Sequence, residues 1–569
     1  MQNSEEFRKT APAPLAPRSF NIAQPFETVL ANGLRVVIFE DRRLPLVSLR
    51  LVFLAGDAYE PKDAIGLNSA VASMLTEGTE SHSSRSLAEE VERLGASLVA
   101  SSGSDNTRVS ASCLSPYLPD ILRLMEEVVL KPSFPQSELD LFKQNSIEGL
   151  KFQRSQASFL AMEQVARIIY GRHPYSIVSP SAEDIEKIDR NALAEHHARI
   201  LIPNNAILIV VGDVEREDFL AQINERFGSW TEGERPSNEF PAVPKRDSRT
   251  LTIVDRKGST QANIVLALPG IKRDHPDFFP VLVMNQILGS GASSRIFMNL
   301  REEKGYTYGA YSKFDMKRLG GEFEATAEVR TTVTGESLRE FFYELKRIRD
   351  ERVADEELRD AVNYLTGVFP IRAETQEGLT NLIVQQKIYG LPDDYLQTYR
   401  ENVASVTADD VERVARTHIR PDEIAIVVVG DAEAILPQVR EYADTVEIFD
   451  TEGQSVPVEN YGRPVEAPAA DLSGKWTLSV DFQGQKFPVD LVLQQDGAAI
   501  SGKLESMLGE GKIEGGKVAG SSFSAVAVAA MQGRSVEMAI SGILEDEKLT
   551  GSLNVPMMPD ALSFIGVRA

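Results

Sequence analysis

The strongest constraint on the fold is a repeat. "PNNAILIVVGDVE", from Pro203, returns about 220 residues later as "PDEIAIVVVGDAE", from Pro421. Each is a branched-aliphatic run the length of one buried strand, closed by Gly-Asp. Each follows an amphipathic helix, "RNALAEHHARI" in one case and "ADDVERVARTH" in the other. Upstream, "FPQSELDLFKQNSIEGLKFQRSQ" and "VADEELRDAVNYLTGVFPIRAET" keep the same offset. Two copies of one unit therefore fill residues 25–232 and 249–450. Strands open each copy ("LRVVIFE" and "VSLRLVFLA"; "ANIVLALPG"), and helices follow without a regular βαβ rhythm. That order predicts the α+β class, each half a mixed or antiparallel sheet flanked by helices, the two halves closing as a clamshell.

A chain of 569 residues needs more than one hydrophobic core. Residues 1–24 read as an extended tail, and the polar, proline-rich segments 233–248 and 451–470 read as linkers. Residues 471–569 break into short alternating strands such as "GKWTLSVDF" and "FPVDLVLQQDG". They predict a β-barrel or β-sandwich that serves packing or docking. A net charge of -24 argues against a general nucleic-acid binder. No run approaches the roughly 18 to 20 apolar residues of a membrane-spanning helix. The single cysteine, Cys113, rules out an internal disulfide and reads as a small buried hydrophobe. The first residues carry no leader-like apolar segment. They look like a tail left after cleavage, which points to the periplasm, or otherwise to the cytoplasm.

"GLNSAVASMLTEGT", residues 66–79, has an inward stripe of Leu67, Ala70, Val71, Met74 and Leu75 at helical spacing. The other face sets Ser69, Ala72 and Ser73 at i, i+3 and i+4, where three side chains converge as a metal site requires. None of the three binds a metal or moves a proton well.

With "NGLRVVIFEDRRLPLVSLRLVFLAGD" before it, this stretch resembles the N-terminal half of the pitrilysin/insulinase peptidase family M16, which includes mitochondrial processing peptidase. The resemblance covers nearly all of residues 25–450. Active members carry H-x-x-E-H here, two histidines for zinc and a glutamate as general base. The matching positions are Ser69, Ala72 and Ser73, and the third ligand, a glutamate in a second helix, matches Gly149 with Glu148 beside it. His82, His173, His196, His197, His275 and His418 include no pair at zinc-helix spacing; the adjacent His196 and His197 read as surface or interface residues. The chain is expected to hold no catalytic zinc of its own.

In the second copy, "LGSGASSRIFMNLREEKGYTYGAYSKF" resembles the family's C-terminal segment. The resemblance implies an Arg/Tyr pair at Arg301 and Tyr308, a guanidinium and a phenol able to stabilise the oxyanion of peptide hydrolysis. Tyr306 is the rival tyrosine. Gly289 and Gly291 allow a tight turn or a close backbone approach near substrate, and Arg295 reads as structural or substrate-contacting. The resemblance thus implies one subunit of a heterodimeric zinc endopeptidase. An H-x-x-E-H partner would hold the zinc, this chain would supply Arg301 and Tyr308, and a peptide or unfolded segment would be the substrate. The isolated chain would be inactive and could form a homodimer. The alternative is a structural or peptide-binding member of the same family.

Overall fold

The computed structural model describes residues 20–237, 239–461, 470–482, 485–506, 509–519, 521–531, 534–545, 547–554 and 561–569. Most of the tail 1–24 (residues 1–19) and residues 462–469 of the second linker lie outside them. The chain forms two compact units, divided between Tyr461 and Gly462.

The first copy contributes strands β1 (Phe26–Val29), β2 (Arg35–Glu40), β3 (Leu46–Phe53), β4 (Ser97–Ser102), β5 (Thr107–Leu114) and β6 (Ala206–Gly212). The helices needed below are α1 (Leu67–Met74), α2 (Gln136–Arg154), α3 (Ala157–Tyr170) and α4 (Arg190–Ile200). The second copy contributes β7 (Thr250–Asp255), β8 (Gln261–Pro269), β9 (Thr307–Met316), β10 (Gly321–Arg330), β11 (Ala425–Gly430), β12 (Thr445–Phe449) and β13 (Ser455–Val456). Its helices include α5 (Phe278–Leu288), α6 (Thr334–Asp350), α7 (Asp355–Arg372), α8 (Gln376–Ile388) and α9 (Ala408–His418).

The sheet orders are β1-β2-β6-β3-β5-β4 and β13-β12-β7-β11-β8-β10-β9. The run β2-β6-β3-β5-β4 matches β7-β11-β8-β10-β9 strand for strand, and β2–β6 and β7–β11 are both parallel. The sequence repeat is thus a repeat of topology, and each half is a mixed sheet with helices. The repeated "AILIVVG" and "AIVVVG" are central strands buried on both faces, which is why neither alternates.

What covers the second face was not legible. Helix α3 of the first copy packs on β8 and β11 of the second, and α8 packs reciprocally on β3 and β6. Val37, Val52, Ile207, Ile209 and Val211 therefore join the core of the second copy. Val254, Val265, Ala267, Val427 and Val429 join that of the first. Burying each valine or isoleucine contributes about 1.5–3 kcal/mol, so the exchange binds the copies into one body. Residues 233–248 are pinned rather than slack: the Asn204 side-chain amide donates to the Gly233 carbonyl at 2.7 Å, and Phe240 meets Tyr59 edge-on.

The second unit is a closed barrel of eight consecutive antiparallel strands, β14 (Gly474–Phe482) to β21 (Leu562–Arg568). Of barrel and sandwich, the barrel is correct. Eight strands leave an interior that side chains can fill. Trp476, Leu491, Ile513, Phe523, Ala527 and Leu549 fill it, and the Trp476 indole N–H donates to the Leu472 carbonyl. Among the described residues no helix is long and apolar enough to cross a membrane.

Candidate functional site

Helix α1 begins at Gly66, whose φ of 85° lies in the left-handed region and whose added Cβ would sit 2.8 Å from Pro180 Cγ. The Glu60 carboxylate caps the helix, accepting from the Gly66 and Asn68 backbone N–H groups at 2.9 and 2.6 Å. Burial raises Glu60 to about 7 against the pull of those two bonds. The inward stripe is buried as its spacing predicts.

The small-residue face behaves differently from expectation. Ser69 is half-buried and Ser73 exposed, but Ala72 is only 1% exposed. The reason is packing: α1 lies against α2, α4 and β4, so only part of that face is open. Ser69 and Gly149 nonetheless line one cavity of about 280 Å³, with Phe142, Leu150 and Pro180 around them. The structure therefore brings together two of the four positions that the family pattern links. Glu148 is not a displaced equivalent; it is exposed and ion-paired with Lys151 at 2.7 Å. A Cβ at Gly149 would meet nothing within 4 Å, so space for a ligand side chain remains while the ligand does not. Two hydroxyls, a methyl and a glycine do not fit a zinc site, which needs three N, S or carboxylate donors and a base beside them.

Behind α1 lies a buried polar network that sequence reading missed. Asn68 donates to Asp57, Ser102 and Thr107, and its carbonyl faces His196 Nε2 at 3.1 Å. Arg199 in turn donates to His196 Nδ1 at 3.1 Å and to the Tyr59 carbonyl. Burial, and secondarily Arg199, holds His196 down to about 3, so it is a neutral interior residue. His197 is hydrogen-bonded to the Val129 carbonyl at 2.8 Å. The expectation of surface or interface roles for this pair is corrected: consecutive helix positions reach different neighbours, and here both neighbours are internal.

In the second copy the Gly/Ser loop follows α5 and leads through a short helix (Arg295–Phe297) and a wide turn (Met298–Glu303) into β9. Arg301 is on the wide turn, exposed, its guanidinium 4.9 Å from the centroid of Phe297 and its Nε 3.5 Å from Glu302. Tyr308 lies on β9, the edge strand of its sheet, and is 90% exposed. Tyr306 is half-buried against the core of the second copy, and its N–H donates to the Leu300 carbonyl. Of the two tyrosines, Tyr308 is the one presented to solvent. Its strand occupies the place that β4 holds in the first sheet, also an open edge, where Val99 is exposed.

Three neighbours take structural roles. Arg295 is buried, its Nε and Nη2 each donating to a Glu357 oxygen at 2.8 Å, the structural half of its two readings. Gly289 is buried against β9, where an added Cβ would stand 2.2 Å from Ser312 Oγ. The Gly291 carbonyl accepts from Ser294 Oγ and N–H at 2.6 and 3.0 Å, closing the loop onto the short helix. These contacts fit the tight turn that the two glycines were read as allowing.

Comparison with known proteins bears on the family and the fold. Residues 35–178 match the family described as "Insulinase (Peptidase family M16)", and residues 187–365 match "Peptidase M16 inactive domain". "Non-peptidase homolog YmxG" of Helicobacter pylori is 21% identical over 398 residues, 70% of this chain and 91% of the relative. "Uncharacterized zinc protease YmxG" of Bacillus subtilis is 22% identical over 349 residues, 60% of this chain and 83% of the relative. The crystal structure of a peptidase M16 inactive domain from Pseudomonas fluorescens superposes with a TM-score of 0.68 at 27% identity, covering 72% of this chain and 98% of that one. A duplicated mixed α/β fold, both family halves in order and these relatives place the chain in peptidase family M16.

Proposed function

We propose that this chain is the catalytically incomplete subunit of a two-chain M16 endopeptidase. It would present Arg301 and Tyr308 to a peptide held by a partner that carries H-x-x-E-H and the zinc. The clamshell of this reading closes between two chains, because the two halves of this one are already joined by exchanged helices. The observation that carries it is the contrast between the two sites. The positions matching the zinc motif hold Ser69, Ala72, Ser73 and Gly149, whereas Tyr308 is 90% exposed on an edge strand near an exposed Arg301. A phenol and a guanidinium with no buried partner can donate to a scissile carbonyl oxygen as negative charge develops on it. An extended peptide can pair with an open sheet edge through its main chain, which tolerates many sequences.

The experiment is reconstitution. The chain alone should not cleave unfolded polypeptides, and adding the H-x-x-E-H partner should produce chelator-sensitive cleavage. Cleavage by the purified chain alone would overturn the proposal. A second reading, a peptide-binding or structural member with no catalytic role, is favoured by the relative named as a non-peptidase homologue. It expects peptide binding along β4 or β9 and no effect of Arg301 or Tyr308 on any partner's turnover.

A further inference from the structure

The second copy gathers three side chains that the sheet-and-helix architecture does not require. His275 and Asp277 lie in the turn entering α5, with Asp277 immediately before its first residue, and His418 ends α9. One ligand atom from each of the three lies within 4.8 Å of the other two. All three residues are half-buried, covered enough to hold a fixed geometry and open enough to exchange an ion. Sequence reading could not join them, because 141 positions separate Asp277 from His418.

The donor atoms are arranged around one carboxylate. Asp277 Oδ2 is 2.9 Å from His418 Nε2 and 4.0 Å from His275 Nδ1. Its other oxygen, Oδ1, accepts from Arg413 Nη1 at 2.8 Å, which orients the carboxylate and leaves Oδ2 facing the two rings. His275 Nδ1 accepts the Asp277 backbone N–H at 3.0 Å, so that nitrogen carries a lone pair rather than a proton, the form a metal takes. The rings meet at right angles with centroids 5.7 Å apart, which keeps them from blocking each other.

We propose that His275, Asp277 and His418 bind one divalent transition-metal ion, with Zn²⁺ the best match. Two imidazoles and a carboxylate are the N/O donor set that suits zinc, cobalt or nickel, and too few oxygens for calcium or magnesium. In a tetrahedral zinc site, bonds of about 2.0–2.2 Å set neighbouring donors about 3.3 Å apart. The observed 2.9 and 4.0 Å fall on either side of that spacing and the two histidine donors lie within 4.8 Å of each other, so side-chain rotation of about 1–1.5 Å closes the site. The His275 ring exchanges its backbone hydrogen bond for the metal, the proton that His418 Nε2 donates to Asp277 Oδ2 is released to solvent or taken by the other ring nitrogen, and Arg413 stays on the outer oxygen as an orienting partner. Its positive charge weakens the site relative to a bare carboxylate. The ion would tie the entry of α5 to the end of α9 and so stabilise the folded second copy. This site is separate from the α1 cavity and does not depend on the subunit reading above.

The test uses the full chain, stripped with chelator and titrated with ZnCl₂ by calorimetry and with CoCl₂ by visible absorption. One equivalent of zinc should bind, raise the melting temperature and be matched by the ligand-field bands of cobalt in a low-coordinate N/O site. His275→Gln and His418→Gln should each weaken zinc at least tenfold. His275 is the most exposed of the three, so His275→Gln should melt like the parent without metal, which separates lost ligation from lost folding. No stoichiometric binding by the parent chain, or unchanged binding in both variants, would overturn the assignment.

Discussion

Glu357→Ala probes how the Arg301 segment is held. Arg295 precedes Arg301 by less than two helical turns, its side chain is 5% exposed, and both its contacts to Glu357 are 2.8 Å. Removing the carboxylate leaves a guanidinium in the interior without its counter-charge, which typically costs about 3–5 kcal/mol. Glu357 is a third exposed, so water relieves part of the penalty and the low end, about 3 kcal/mol, is expected. Arg295→Met with Glu357→Leu removes both charges and keeps the volume; it loses only the bond that Glu357 accepts from the Ala354 N–H, so it should lie within about 1–2 kcal/mol of the parent. The pair also sets a pH dependence. The Arg295 hydrogen bond holds the Glu357 carboxyl below its usual value of 4.5. A depressed acid stabilises the fold above its unfolded pKa, and that stability is lost as pH falls through its folded value, below pH 4.5. The assay is urea unfolding followed by Trp230 fluorescence in a Trp476→Phe background, because the two tryptophans report on different units. If the double variant is as unstable as Glu357→Ala, or Glu357→Ala costs less than about 1 kcal/mol, the pair is not what orders this segment.

Two other outcomes follow from the same contacts. Ile209→Ala, on the face of β6 that packs with the second copy's core, should cost about 2–5 kcal/mol in the same unfolding assay; a surface-like loss under about 0.5 kcal/mol would refute the helix exchange. Ser69→His, Ser73→His and Gly149→Glu combined should bind one more equivalent of zinc than the parent by metal analysis where no single change adds any, since Gly149 has open space and shares a cavity with Ser69. That variant should still not hydrolyse peptides, because Ala72 offers no base, and failure to bind zinc would mean the site has lost its geometry as well as its donors.

The duplication was legible because a central strand buried on both faces leaves a continuous aliphatic run, and two such runs with the same Gly-Asp ending are hard to miss. The reciprocal placement of α3 and α8 was not, since an amphipathic stripe states that a helix has a partner and not which sheet that partner is. Cys113 was read correctly as buried; burial pushes its thiol up to about 12. Arg295 was read as structural or substrate-contacting and Gly289 and Gly291 as turn or substrate-approach positions because they surround the Arg/Tyr segment; the Glu357 pairing of Arg295 and the close packing of Gly289 against Ser312 depend on the tertiary fold, which spacing does not state. Ala72 shows the same limit in reverse: helical spacing groups it with Ser69 and Ser73, and tertiary packing buries it. The His275–Asp277–His418 cluster needed the fold itself, because no spacing rule links the start of one helix to the end of another so far along the chain.

The most direct measurement is the turnover of a quenched peptide by the chain reconstituted with its H-x-x-E-H partner, comparing the parent with Tyr308→Phe and Arg301→Gln. Tyr308 is 90% exposed and Arg301 is exposed, so neither change should alter folding. Loss of one oxyanion donor is worth about 2.7–4 kcal/mol, so kcat should fall by about 10²–10³ in each case. Turnover unchanged in both variants, with peptide binding intact, would contradict a catalytic contribution from this chain and leave it a scaffold.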